Sequence, residues 1–86
     1  VWLQKMRKID SLLFTSLAKT LNLQTMDLNE ESGMLVTKNW DSLNQMNIIF
    51  DLERNFSLQF DVTDFEKLTT FRGIKEILLN KGFENT

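Results

Sequence analysis

The chain has 86 residues, 42% hydrophobic and 26% charged, with a formal net charge of −2. That is enough for one small domain over residues 1–86, with the composition of an ordinary folded protein. Cys and His are both absent, which excludes disulfides, thiolate nucleophiles, Cys-based metal sites and any His-dependent hydrolytic triad. Carboxylate-only catalysis stays open, but no Asp/Glu pair stands out. The slightly acidic balance argues against general nucleic-acid binding, which relies on a basic surface. No apolar run approaches the roughly eighteen residues that a membrane span needs. The opening Val1-Trp2-Leu3-Gln4-Lys5 lacks the charged and apolar regions of a signal peptide. A cytoplasmic monomer is expected.

Residues 3–21 are predicted as a first helix. Leu3, Met6, Ile9, Leu13, Leu17 and Leu21 recur at three- and four-residue spacing, with Leu12 and Phe14 widening the stripe. Lys5, Arg7, Lys8, Asp10, Ser11, Lys19 and Thr20 fill the other side, which reads as a solvated face. Residues 22–39 are polar and irregular, with Asn22, Glu30, Glu31, Ser32, Gly33 and Asn39 among scattered apolar positions. They form a long loop folding back on the helices, and a loop of that length in a small domain is often functional.

Residues 42–56 are predicted as a second helix, with Leu43, Met46, Ile49, Phe50 and Phe56 as its inward stripe, interrupted by Glu53. Asn44, Asn47, Asp51, Arg54 and Asn55 collect on its polar side. Residues 63–68 read as a short third helix, because Thr63 and Glu66 have capping-box spacing. Thr70 can cap a fourth helix from Phe71 to about Lys81, with Phe71, Ile74, Ile77 and Leu78 inward. Gly73 weakens that helix by up to about 1 kcal/mol relative to Ala, and Gly82 is a fitting stop. The sum is an all-α fold: a small four-helix bundle, three helices longer and one short, with a long loop between the first two. Phe14, Phe50, Phe56, Phe60, Phe65 and Phe71 are expected in its core.

One tripeptide carries most of the functional signal. Asp41-Ser42-Leu43 sits where the irregular stretch gives way to the second helix. Asp41 has the chemistry of an N-cap, which makes Ser42 the first helical residue, held rigidly at the positive end of the helix dipole. That position favours a phosphate on the serine. The same three residues also make an ordinary helix start.

The run Trp40-Asp41-Ser42-Leu43-Asn44-Gln45-Met46-Asn47-Ile48-Ile49-Phe50-Asp51-Leu52-Glu53-Arg54-Asn55-Phe56 resembles the carrier-protein family: acyl carrier proteins and the related peptidyl and aminoacyl carriers. Leu52-Glu53 and Phe56 stand where that family closes its helix with Leu-Glu and an aromatic residue. Leu58 and Phe60 match a short apolar stretch, and Leu68-Thr69-Thr70-Phe71 looks like the turn into the family's last helix, so the resemblance covers roughly residues 34–80. The long first loop is also a family feature. The resemblance implies a non-enzymatic carrier whose Ser42 bears 4′-phosphopantetheine, attached by a phosphopantetheinyl transferase, with Asp41 and Leu43 as the flanking motif. The arm's thiol would hold acyl or aminoacyl cargo as a thioester, for loading and transferring enzymes of fatty-acid, polyketide or nonribosomal-peptide synthesis.

The sequence departs from fatty-acid carriers in two ways. Trp40 stands where a small residue is common, as either a structural plug or a partner contact. The second helix offers Asn44, Asn47 and Arg54, with Asp51 and Glu53, where such carriers show several acids. Trp40, Asn44, Asn47, Asp51 and Arg54 are therefore the candidate partner surface, and a dedicated pathway is favoured. The rival reading is a helical interaction domain that docks a partner and never carries an arm. A small regulatory domain phosphorylated on Ser42 is a third, with no specific support.

Overall fold

The computed structural model describes residues 8–83, with α1 at Lys8–Leu21, α2 at Ser42–Phe56 and α3 at Phe71–Asn80. Short 3₁₀ turns lie at Thr25–Asp27, Val62–Asp64 and Lys67–Thr69. The chain is all-α, and no strand forms among the described residues beyond a single antiparallel bridge between Gly33 and Thr70. The predicted positions Leu3, Met6, Lys5 and Arg7 and the side chain of Lys8 lie outside what is described.

α1 buries Ile9, Leu13, Leu17, Ala18 and Leu21 along one stripe, as its periodicity predicts. Leu12 stays half-exposed, and Phe14 instead stacks on Phe71 of α3, ring centroids 4.4 Å apart. α3 turns Phe71, Ile74, Ile77 and Leu78 inward, and Thr70 caps it by accepting the Gly73 N–H at 3.0 Å.

All three helices stop in the same way. Left-handed φ follows each helix, in the first residue past α1 and α2, Asn22 (57°) and Ser57 (52°), and in the second past α3, Gly82 (102°). The next residue then returns its N–H to a carbonyl five positions back: Leu23 to Ala18 at 2.9 Å, Leu58 to Glu53 at 3.1 Å, and Phe83 to Leu78 at 3.0 Å. These bonds satisfy carbonyls that a helix end would otherwise leave unpaired. The apolar residue that each turn delivers packs onto the core, and Phe83 meets Phe56 edge-on at 5.3 Å.

The long loop is sewn down. Leu28 is buried, the Met34 N–H donates to the Thr69 carbonyl at 2.8 Å, and the Phe71 N–H donates to the Ser32 carbonyl at 2.9 Å. These cross-links hold the loop against the entrance to α3.

Two expectations need correction. The third helix does not form, so the four-helix count gives way to three helices with 3₁₀ turns. The stretch is too short to recover the cost of α-helix nucleation. It closes i→i+3 bonds instead, from Asp64 to Asp61, Phe65 to Val62 and Leu68 to Phe65. Its capping pair is Asp61 and Asp64, two residues upstream of the predicted Thr63 and Glu66. Thr70 must then be extended (φ −137°, ψ 157°) to cap α3.

The second correction concerns which face of α2 is inside. Gln45, Ile48, Ile49, Asp51 and Leu52 are buried, whereas Leu43, Met46 and Phe50 point outward. Two buried polar residues displace the apparent stripe, because each has its hydrogen bonds met inside. Of the six phenylalanines expected in the core, Phe60 and Phe71 are buried, Phe14 and Phe56 are partly so, and Phe50 and Phe65 are exposed.

Candidate functional site

Ser42 is the first residue of α2 and is exposed. Asp41 is extended, its Oδ1 accepts the Asn44 N–H at 2.9 Å, and its carbonyl accepts the Gln45 N–H at 2.8 Å. Those two bonds fix the first turn. Among the described residues no acceptor meets the N–H groups of Ser42 and Leu43, and the Ser42 hydroxyl makes no hydrogen bond. Two backbone donors and the helix dipole thus face solvent beside a free hydroxyl, an arrangement suited to a phosphate ester.

The approach to Ser42 is braced from behind. Asn39 takes left-handed φ (69°), its side chain donates to the Leu21 carbonyl at 2.8 Å, and its own carbonyl accepts from Asn44 Nδ2 at 2.8 Å. Trp40 is only 2% exposed. Its Nε1 donates to Gln45 Oε1 at 2.6 Å, and Gln45 Nε2 donates to the Leu68 carbonyl at 2.8 Å. Of the two roles weighed for Trp40, the internal plug is the one this geometry supports. It offers no surface to a partner here, which corrects its place in the candidate partner surface.

Asp51 needs the same correction. It is buried between α1 and α2, where the hydroxyl of buried Ser16 donates to Oδ2, Arg54 Nη2 donates to Oδ1 at 2.7 Å and Asn55 donates to Oδ2 at 3.1 Å. Burial pushes the Asp51 carboxyl up. The hydrogen bonds from Ser16 and Arg54, with the charges of Arg54 and Lys19, outweigh it and hold the group below the ordinary carboxylate range. Asp51 is therefore a fastener between helices. The outward residues of the predicted surface are Asn47 and Arg54, with Asn44 half-buried. Leu43 is 73% exposed.

The Ser16–Asp51 and Trp40–Gln45–Leu68 links were not read from the sequence. Nothing in residue spacing pairs positions on different elements, although a lone Ser or Gln inside an apolar period is a usable sign of an internally satisfied polar group. Among the described residues no cluster of three His, Cys, Asp or Glu could hold a metal, and no helix is long and apolar enough to cross a membrane. No protein-family model matches the chain, and no curated protein sequence matches it.

Proposed function

We propose that this protein is a carrier holding acyl or aminoacyl intermediates as thioesters on a 4′-phosphopantetheine arm attached to Ser42. One observation carries the reading: within the carrier-like run from Trp40 to Phe56, Ser42 is exposed at the mouth of a capped helix, with the N–H groups of Ser42 and Leu43 unengaged. Those donors would face the arm's phosphate, and Asp41 would keep the turn that presents the serine. The arm supplies the thiol that the Cys-free chain lacks. Ser42 has no hydrogen-bonded base, so the hydroxyl would be acted on by a phosphopantetheinyl transferase. Tethering then raises the effective concentration of cargo at loading and transferring enzymes. The mixed surface of Asn47 and Arg54 supports service to a dedicated pathway.

A second reading, an interaction module without an arm, is favoured by the outward apolar residues Leu43, Met46 and Phe50. Intact-protein mass after incubation with coenzyme A and a broad-specificity transferase separates the two. The carrier reading expects one added arm on the wild type and none on Ser42→Ala, with the variant's stability within about 0.5 kcal/mol of wild type. An arm mapped to another serine, or none with any competent transferase, leaves the interaction module.

A further inference from the structure

Trp40 and Gln45 bracket the start of α2, one residue before the N-cap Asp41 and three after the first helical residue Ser42. At many helix starts an apolar pair holds these two positions as a staple that fixes the angle at which the chain enters. Here the pair is an indole and an amide, and both are buried. Trp40 Nε1 donates to Gln45 Oε1 at 2.6 Å, and Gln45 Nε2 donates to the Leu68 carbonyl at 2.8 Å.

An apolar staple sets only a contact, whereas this one also sets directions. An indole N–H can only donate and a carbonyl can only accept. The Gln45 amide therefore has one orientation in which both bonds form, its oxygen toward Trp40 and its nitrogen toward Leu68. Ser42 lies between the two ends, and Asp41 is bonded within the same turn to the N–H groups of Asn44 and Gln45. The Trp40 N–H donates to the Thr37 carbonyl at 3.2 Å, so the chain is held on its entry side as well. The exposed Ser42 cannot swing without parting a buried bond, and a buried polar group left unpaired costs more than a lost exposed contact.

We infer that Trp40 and Gln45 are positioning residues for Ser42: their buried bond fixes the pose in which the serine presents its hydroxyl beside the unengaged N–H groups of Ser42 and Leu43. The chemical consequence rests on the carrier reading. In loading, Ser42 Oγ bonds to the phosphorus that carries pantetheine, and the pyrophosphate bond of coenzyme A at that phosphorus breaks. The adenosine-bearing phosphate leaves, and the serine proton passes to the transferase. Oγ must stand in line with the departing oxygen, so a shift of about 1 Å in the turn slows this step. The rest of the protein surface still binds the transferase, and the loss falls on kcat more than on KM.

The test compares three variants of the full chain. Trp40→Phe removes the indole N–H and keeps an aromatic ring. Gln45→Met keeps the side-chain length and removes both bonds. Ser16→Ala is the control, because it takes one buried hydrogen bond from the middle of α2 without touching this pair. Without an arm, hydrogen exchange at the Asn44 and Gln45 amides, which close the first turn, should quicken about two- to tenfold in Trp40→Phe and match wild type in Ser16→Ala. With coenzyme A and a transferase, kcat for loading should fall at least about tenfold in Trp40→Phe and Gln45→Met but not in Ser16→Ala, with KM for the chain within about twofold. Unchanged exchange in Trp40→Phe overturns the inference whether or not Ser42 is loaded. Faster exchange with unchanged kcat, or an equal loss of kcat in Ser16→Ala, leaves the pair a structural role only and also overturns it. A wild type that no transferase loads removes the carrier reading, and exchange still decides whether the pair holds the turn. If Gln45→Met does not fold, Trp40→Phe decides alone.

Discussion

Replacing Gly73 by Ala gives the sharpest test of the packing, because propensity and structure predict opposite signs. On an open helix the change would stabilise by about 1 kcal/mol. Here a Cβ would stand 2.8 Å from the Lys67 carbonyl carbon, 3.0 Å from Thr70 Oγ1, and deep within the radius of the Lys67 carbonyl oxygen. Non-bonded carbons sit about 3.5–4.0 Å apart, so the Lys67–Thr69 turn and α3 must separate by about 1 Å. Lys67 and Thr70 are backbone-fixed neighbours, so no flexible side chain can absorb the shift. Overpacking of this kind costs about 1–3 kcal/mol. Stretching the Gly73–Thr70 cap adds up to about 1 kcal/mol, and straining the Gln45 bond to the Leu68 carbonyl adds about 1 kcal/mol more. Net of the propensity gain of about 1 kcal/mol, Gly73→Ala should lose about 1–4 kcal/mol. For a domain of this size that lowers Tm by roughly 5–30 °C. Thermal and urea melts followed by far-ultraviolet circular dichroism give both quantities. A Gly73→Ala variant melting at or above wild type would refute the argument and show that the turn at Lys67 yields freely.

The two faces of α2 should respond unequally to truncation: fully buried Leu52→Ala should cost about 2–5 kcal/mol, while outward Phe50→Ala stays below about 1 kcal/mol, as urea melts can show. Ser57→Gly should stabilise by about 0.5–1 kcal/mol, because glycine relieves the left-handed conformation that ends α2; a lower urea midpoint would contradict this. Because the folded Asp51 carboxyl lies below its unfolded value, its contribution is complete above the ordinary carboxylate range and is lost as pH falls through the lower folded value. Asp64, lowered by the Asp61 N–H and Lys81, acts in the same direction. Ser16→Ala should therefore flatten the acid side of a stability–pH curve measured by urea melts, and an unchanged slope would remove Asp51 from the account.

What could be read from the sequence was local. The start and end of α2, the Asp41 and Thr70 caps and the Gly82 stop each follow from side chains acting on backbone within a few residues, and each is where spacing put it. Ser42 at the helix mouth was legible for the same reason. The rest depended on distant partners. Gln45 counts as polar until Trp40 and the Leu68 carbonyl satisfy it, and Asp51 until Ser16 does, so the inward face of α2 was misplaced. The stretch from Asp61 to Thr69 has helical spacing, but the demands of the α3 cap and the close approach of Lys67 to Gly73 keep it in 3₁₀ turns. Asn22 and Ser57 take left-handed φ without being glycine, and the residues that follow them, Leu23 and Leu58, pack against the core from partly buried positions.

The indole of Trp40 also gives the molecule an optical handle. It is shielded from water and hydrogen-bonded to Gln45, within two positions of Ser42, and through Gln45 it is joined to the segment that opens α3. Any rearrangement of the serine-bearing turn, or any parting of that turn from α3, must change the polarity around this ring. With Trp2 replaced by Phe, Trp40 is the one indole left in the chain, and its emission maximum becomes a label-free readout of that region. A shift to longer wavelength would mark the turn opening before the helices melt, and a constant maximum up to global unfolding would show that the site and the bundle give way as one cooperative unit.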